Sequence, residues 1–190
     1  MTSYQILLSK KDSVLIFVDC GWAVTAEASS MDPQALAENW RSLADVAVIH
    51  DVPVIVTEFA KASSKAKGPF PPSSPLRVIA PLFRHTLNPW EEDAFVRSVA
   101  AMERQRLVIA GVYTEGAVSF AALSALQHGY DVYLVRDGIA GTTGHDHATA
   151  SERMSQAGVV PVTLRQLELE WGREDASTKD SFYRTRSPKK

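Results

Sequence analysis

Asp19 closes the apolar run Val14-Leu15-Ile16-Phe17-Val18 and is followed by Cys20 and Gly21. A carboxylate at the end of a buried strand is partly desolvated, which suits general acid–base work. The same position also suits a plain structural role, capping the next loop by accepting backbone N–H groups. A second cluster, Gly111-Val112-Tyr113-Thr114-Glu115-Gly116-Ala117, joins another apolar run to an alanine-rich helical stretch. Helix N-termini present free N–H groups and the positive end of the peptide dipole. The backbone around Gly116 and Ala117 can therefore bind a carboxylate or an oxyanion formed in acyl transfer. An ordinary strand-to-helix turn would read the same way. On this turn Tyr113 can donate a hydrogen bond to a ligand, and Glu115 supplies either a second carboxylate or a cap. Trp22, Phe59 and Trp90 are candidates for an apolar pocket wall as well as for core packing. Arg84 or His85 would supply positive charge to a bound group.

Other reactive residues carry less. Neighbouring strand residues point to opposite faces, so Cys20 should face away from Asp19 and behave as a buried thiol. His145-Asp146-His147 lacks an evident third ligand and reads as the start of a helix capped by Asp146, so no metal is expected. Gly138, Gly141 and Gly144 are not followed by Gly-Lys-Ser/Thr, which argues against a nucleotide loop. No cofactor is implied.

The elements that must position these residues alternate. Strands are expected at Val14–Val18, Val54–Thr57, Leu107–Ala110 (ended by Gly111), Val132–Val135 (ended by Arg136-Asp137-Gly138) and Val159–Val162. Helices are expected from Pro33, with Asp32 as N-cap, and over Glu91–Glu103, Thr114–His128 and Ala148–Gln156. Lys61–Pro75 is rich in Lys, Ser, Gly and Pro and reads as a long binding or lid loop. This alternation predicts an α/β fold with a mostly parallel sheet, helices on both faces, and a ligand site outside the strands' carboxyl ends. The chain reads as one domain over residues 1–172. Its charged segment, 173–190, reads as a flexible tail or an arm packing on a neighbouring subunit.

Composition narrows the function classes. The 190 residues are 45% hydrophobic and 22% charged, which is globular. With 20 Lys+Arg against 22 Asp+Glu there is no basic excess for a nucleic-acid backbone. One cysteine excludes an internal disulfide and a Cys-based zinc cluster. No apolar run approaches membrane-spanning length, and no signal pattern opens the chain, so a cytoplasmic protein is expected.

Val108–Val118 and Leu15-Ile16-Phe17-Val18-Asp19 resemble the isochorismatase-like cysteine hydrolases. Leu87-Asn88-Pro89-Trp90, Ala122-Leu123-Ser124-Ala125-Leu126 and Arg153-Met154-Ser155-Gln156-Ala157-Gly158 resemble the YcaC-like branch of that family. The resemblance runs from about Val14 to Trp171. It implies a three-layer α/β/α sandwich with a doubly wound central sheet, a homo-oligomer, and an Asp–Lys–Cys triad acting on amides or related C–N bonds of small molecules. The family's isochorismatases cleave a vinyl ether C–O bond, some of them without a cysteine and with the aspartate protonating the substrate. It places Asp19 at the triad acid and Ala117 at the nucleophilic cysteine. The lysine falls on Phe83 or Arg84, according to a one-residue gap.

Two functions follow. One is a hydrolase in which Asp19 acts as general acid–base on a small anionic or aromatic substrate, with no cysteine nucleophile. The other is an inactive member that binds a small molecule or serves as a scaffold. A thiol hydrolase using Cys20, or an Ala117 that replaces a cysteine by design, is the weaker third.

Overall fold

In the computed structural model, residues 7–21, 28–60 and 80–173 are described. Trp22, the loop Lys61–Pro75 and the tail from 174 onward lie outside them. Six strands form one parallel sheet: β1 (Ser13–Val18), β2 (Val54–Phe59), β3 (Leu82–Arg84), β4 (Arg106–Val112), β5 (Asp131–Ala140) and β6 (Val160–Val162). Their order is β3-β2-β1-β4-β5-β6, so β1 and β4 are central and the chain reverses its direction of winding there. Among the described residues five α-helices accompany them: α1 (Pro33–Ile49), α2 (Asp93–Ala100), α3 (Ser119–Gln127), α4 (Gly144–Ala157) and α5 (Leu164–Gly172).

The alternation of side chains along a strand explains the three layers. From β1, Leu15 and Phe17 enter one core with Leu36, Trp40, Leu43 and Ala47 of α1 and Leu167 and Trp171 of α5. Val14, Ile16 and Val18 enter the other with Phe95 and Val99 of α2, Ala121, Ala122 and Ala125 of α3, and Met154 of α4. Both faces of β1 are therefore buried, which is why its sequence is continuously apolar.

Several boundaries differ from the sequence expectations. Gly111 does not end β4, which runs on to Val112. A Cβ at Gly111 would lie 2.0 Å from the Val18 carbonyl oxygen, and its φ is +149°, so glycine is what lets β4 lie this close to β1. Arg136-Asp137-Gly138 does not end β5, which continues to Ala140 after a register shift opposite Ile109 and Gly111. The bulge absorbs the polar residues inside the strand. The helix expected over Glu91–Glu103 is shorter, because a 3₁₀ turn at Pro89–Glu91 precedes α2. α4 starts at Gly144, so His145 to His147 lie in its first turn, and its N-cap is Thr143, not Asp146. Thr143 Oγ1 accepts from the Asp146 N–H at 3.1 Å. The three-residue β3 and α5 were not expected as separate elements.

Candidate functional site

A pocket of about 340 Å³ opens at the carboxyl ends of the sheet, lined by Asp19, Phe59, Arg84, Leu87, Tyr113, Glu115, Gly116 and Ala117. That volume is at the small end of the range for small-molecule sites.

Asp19 follows β1 directly and takes a left-handed backbone, φ +53°. Its N–H donates to the Thr57 carbonyl at 2.9 Å, and its Oδ1 accepts from the Phe59 N–H at 2.8 Å. The end of β2 thus grips Asp19 by both backbone and side chain. Arg84, at the end of β3, completes the grip. Its Nη1 donates to Oδ1 at 2.8 Å and its Nη2 to Oδ2, a bidentate pair with Arg84 1% and Asp19 4% exposed. The guanidinium also lies 5.8 Å from the centre of the Phe59 ring. Arg84 Nε is buried and without a partner.

Register decides between Phe83 and Arg84 as the residue that reaches the pocket. Glu58 pairs with Phe83 and Phe59 with Arg84. Paired residues share a face, so Arg84 joins Phe59 in the pocket while Phe83 is 51% exposed on the other side.

The opposite wall comes from the turn between β4 and α3. Tyr113 has φ +62° and ψ +60°, and a π-turn over Thr114–Val118 follows, broken at Gly116 with φ −121° and ψ −107°. A left-handed tyrosine is a costly conformation, and such strain concentrates at ligand sites. Of the four non-glycine residues with positive φ among the described residues, Asp19 and Tyr113 both border this pocket. Glu115 Oε1 accepts from the Thr142 N–H at 3.0 Å and from the Thr142 hydroxyl, while its Oε2 is buried without a partner. Glu115 therefore lines the pocket and also ties the turn to the end of β5. Next to it, the His147 Nδ1 and Thr114 Oγ1 share a hydrogen bond of 3.0 Å. Burial first, and Arg136 second, push the His147 imidazole below its usual range, with Glu115 opposing.

Some sequence expectations are not met. The Gly116 N–H already donates to the Tyr113 carbonyl at 2.9 Å, so it is not a free donor for a bound oxygen. His85 is exposed, its N–H donates to Glu92 Oε1 at 2.6 Å, and it does not line the pocket. Its neighbour Arg84, the last residue of β3, takes the inward position because it pairs with Phe59. Trp90 belongs to the core, where its Nε1 donates to the Ala121 carbonyl at 2.9 Å. Cys20 does face away from the pocket, into the α1 side of the core. Burial first, then the charges of Asp19 and Glu58, raise its thiol well above the usual value, so it is poorly nucleophilic.

Two residues were missed. Leu87 forms part of the wall although its sequence neighbourhood gives only a turn. Glu58 is buried, and its Oε1 has no partner. Burial and the nearby Asp19 charge raise its carboxyl above the usual range, with Arg84 opposing. An acidic residue inside an otherwise apolar strand, Val-Ile-Val-Thr-Glu-Phe, was the available signal. Among the described residues no group of three or more His, Cys, Asp or Glu is arranged to hold a metal. None of the described helices is long and apolar enough to cross a membrane.

A parallel sheet covered by helices on both faces, with a ligand-sized pocket where its strands end, is the organisation of a doubly wound α/β ligand-binding fold. The isochorismatase domain profile matches residues 13–166, and the chain belongs to the isochorismatase family. It is 31% identical over 169 residues to the probable hydrolase YcaC of Escherichia coli (strain K12), a match covering 86% of this chain and 79% of that protein. The crystal structure of E. coli YcaC, described as an octameric hydrolase of unknown specificity, superposes with a TM-score of 0.83 at 30% identity, covering 98% of this chain and 94% of that one. YcaC from Pseudomonas aeruginosa, solved with hexane-2,5-diol and covalent acrylamide, gives 0.81 at 26% identity, covering 97% and 98%.

Proposed function

We propose that the protein hydrolyses a C–N or C–O bond of a small molecule, with Asp19 as general acid–base and no cysteine nucleophile. The observation that carries this reading is the convergence of Asp19, Arg84 and Ala117 on one pocket. Ala117 occupies the wall where a thiol attacker would be needed, and it offers none. A water molecule must then be the nucleophile. A carboxylate has about four acceptor positions. Phe59 and Arg84 use three of those on Asp19, which leaves one on Oδ2 to take the proton of an attacking water. Asp19 then passes that proton to the leaving nitrogen or oxygen, so the carboxylate is regenerated. Arg84 stays protonated and stabilises the carboxylate rather than shuttling protons. Negative charge developing on the substrate oxygen falls near the N-terminal end of α3, where the peptide dipole is favourable.

The protein acts as a homo-oligomer in this reading, as the octameric relative does. A cytoplasmic location fits the same reading.

A second reading, a binding protein without catalysis, is favoured by one observation: both Asp19 oxygens are already engaged by Arg84. Turnover assays on amides, carbamoyl amines and vinyl ethers separate the two. The hydrolase reading expects activity that Cys20→Ser leaves intact and Asp19→Asn lowers at least ~100-fold in protein shown by circular dichroism to be folded. Activity lost in Cys20→Ser would overturn it in favour of a thiol mechanism. Inertness across all three substrate classes would leave the binding reading.

A further inference from the structure

Which kinds of molecule fit is set by the charges that face the pocket. Arg84 is the sole cationic side chain among the described residues lining it. Each terminal nitrogen of its guanidinium gives one N–H to Asp19, and that carboxylate compensates its charge. Its Nε has no partner, yet that atom is itself closed to solvent. Two carboxylates, Asp19 and Glu115, line the same space, so the described wall carries more negative charge than positive. Glu115 cannot be turned away at low cost, because Thr142 holds its Oε1 through both N–H and hydroxyl. The remaining wall, Phe59, Leu87, Tyr113, Gly116 and Ala117, carries no charge. His85 lies outside the lining, and the Gly116 N–H is spent within its own turn.

An entering carboxylate or phosphate would therefore lose its full hydration and find neither an uncompensated cationic side chain nor a free Gly116 N–H among these residues. The Tyr113 hydroxyl and the partial dipole charge at the start of α3 would then have to offset two like charges. An uncharged molecule loses far less. We infer that the pocket takes an uncharged, mostly apolar small molecule, such as a simple amide, and discriminates against its anionic counterpart. This rests on the pocket being the substrate site, as proposed above. Of the anionic or aromatic substrate expected from sequence, it keeps the aromatic option and drops the anionic one.

Benzamide and benzoate test it, since they match in shape and differ in charge. Titration calorimetry on the full-length protein at pH 7.5 should give benzamide a dissociation constant at least about tenfold below that of benzoate. Asp19→Asn releases the guanidinium, so benzoate should gain about tenfold and the preference should shrink or reverse. Asp19→Asn also leaves Arg84 buried without its counter-ion and so risks misfolding. Glu115→Gln is therefore the second variant: its amide oxygen still accepts from Thr142, and it should strengthen benzoate several-fold relative to benzamide. Benzoate binding the wild type as tightly as benzamide, neither compound binding at millimolar concentration, or a ratio unmoved in every variant that folds would each overturn the inference. Selective benzamide binding without hydrolysis of any substrate class defeats the hydrolase reading alone. Hydrolysis of anionic amides with tight benzoate binding defeats this inference alone.

Discussion

Replacing Arg84 by Met is the most direct probe of the site's architecture. Methionine keeps much of the volume of the side chain and removes its charge. The Asp19 carboxylate would then retain a single described partner, the Phe59 N–H at 2.8 Å, in a residue only 4% exposed. Removing one member of a buried, hydrogen-bonded ion pair costs about 3–5 kcal/mol, because the other charge stays buried without compensation. For a chain of this length each kcal/mol moves the midpoint by about 2–4 °C, so Arg84→Met should melt roughly 6–20 °C below wild type. Urea denaturation and calorimetry at one fixed protein concentration measure it, the concentration being held because an oligomer's stability depends on it. The double variant Asp19→Leu/Arg84→Met removes both charges and should recover most of the loss, giving a coupling of at least ~2 kcal/mol. A loss under about 1 kcal/mol, the size of a solvent-exposed pair, would refute the claim that this pair is buried and anchors the pocket. So would a double variant no better than the sum of its singles.

Three further outcomes follow from the same geometry. Iodoacetamide should leave native Cys20 unmodified and label it fully in urea, whereas Ala117→Cys should add one native adduct by mass spectrometry, since Ala117 lines the pocket and Cys20 does not. Gly111→Ala should destabilise by about 3 kcal/mol or more in urea denaturation, or prevent folding, because its Cβ would overlap the Val18 carbonyl oxygen at 2.0 Å. Glu58 holds its proton more tightly folded than unfolded, so its contribution to stability is fully present below the unfolded carboxyl range and is lost as pH rises through the raised folded value. Glu58→Gln does not titrate, so its melting temperature should gain on wild type as pH rises from 4 to 8; a parallel pair of pH profiles would contradict this.

The pattern of β1 was plain in the sequence because both its faces are buried, and the Asp32-Pro33 start of α1 was plain because capping chemistry is local: Asp32 Oδ2 accepts from the Ala35 N–H at 2.8 Å. What could not be read depended on partners distant in the chain. Gly111 looks like a terminator until Val18 is placed against it. Gly138 likewise looks like a stop until the bulge opposite Ile109 is known. β3 is three residues long and owes its existence to pairing with β2, which no local periodicity reports. In the candidate site, Asp19, Phe59, Tyr113, Glu115, Gly116 and Ala117, each singled out from sequence, line one pocket. The choice between Phe83 and Arg84 needed the β2–β3 register. The spent Gly116 N–H needed the geometry of the π-turn, since helix-start statistics alone leave that donor open.

Position 59 holds Asp19 with its peptide nitrogen and lines the pocket with its side chain. Any residue other than proline offers that nitrogen, so the wall can be recut at this point, from bulky to small or from flat to branched, without loosening the acidic group. This chain thus keeps the anchor of its buried acid and the shape of its pocket wall on separate atoms of one residue, and a library restricted to this codon would vary the second without the first.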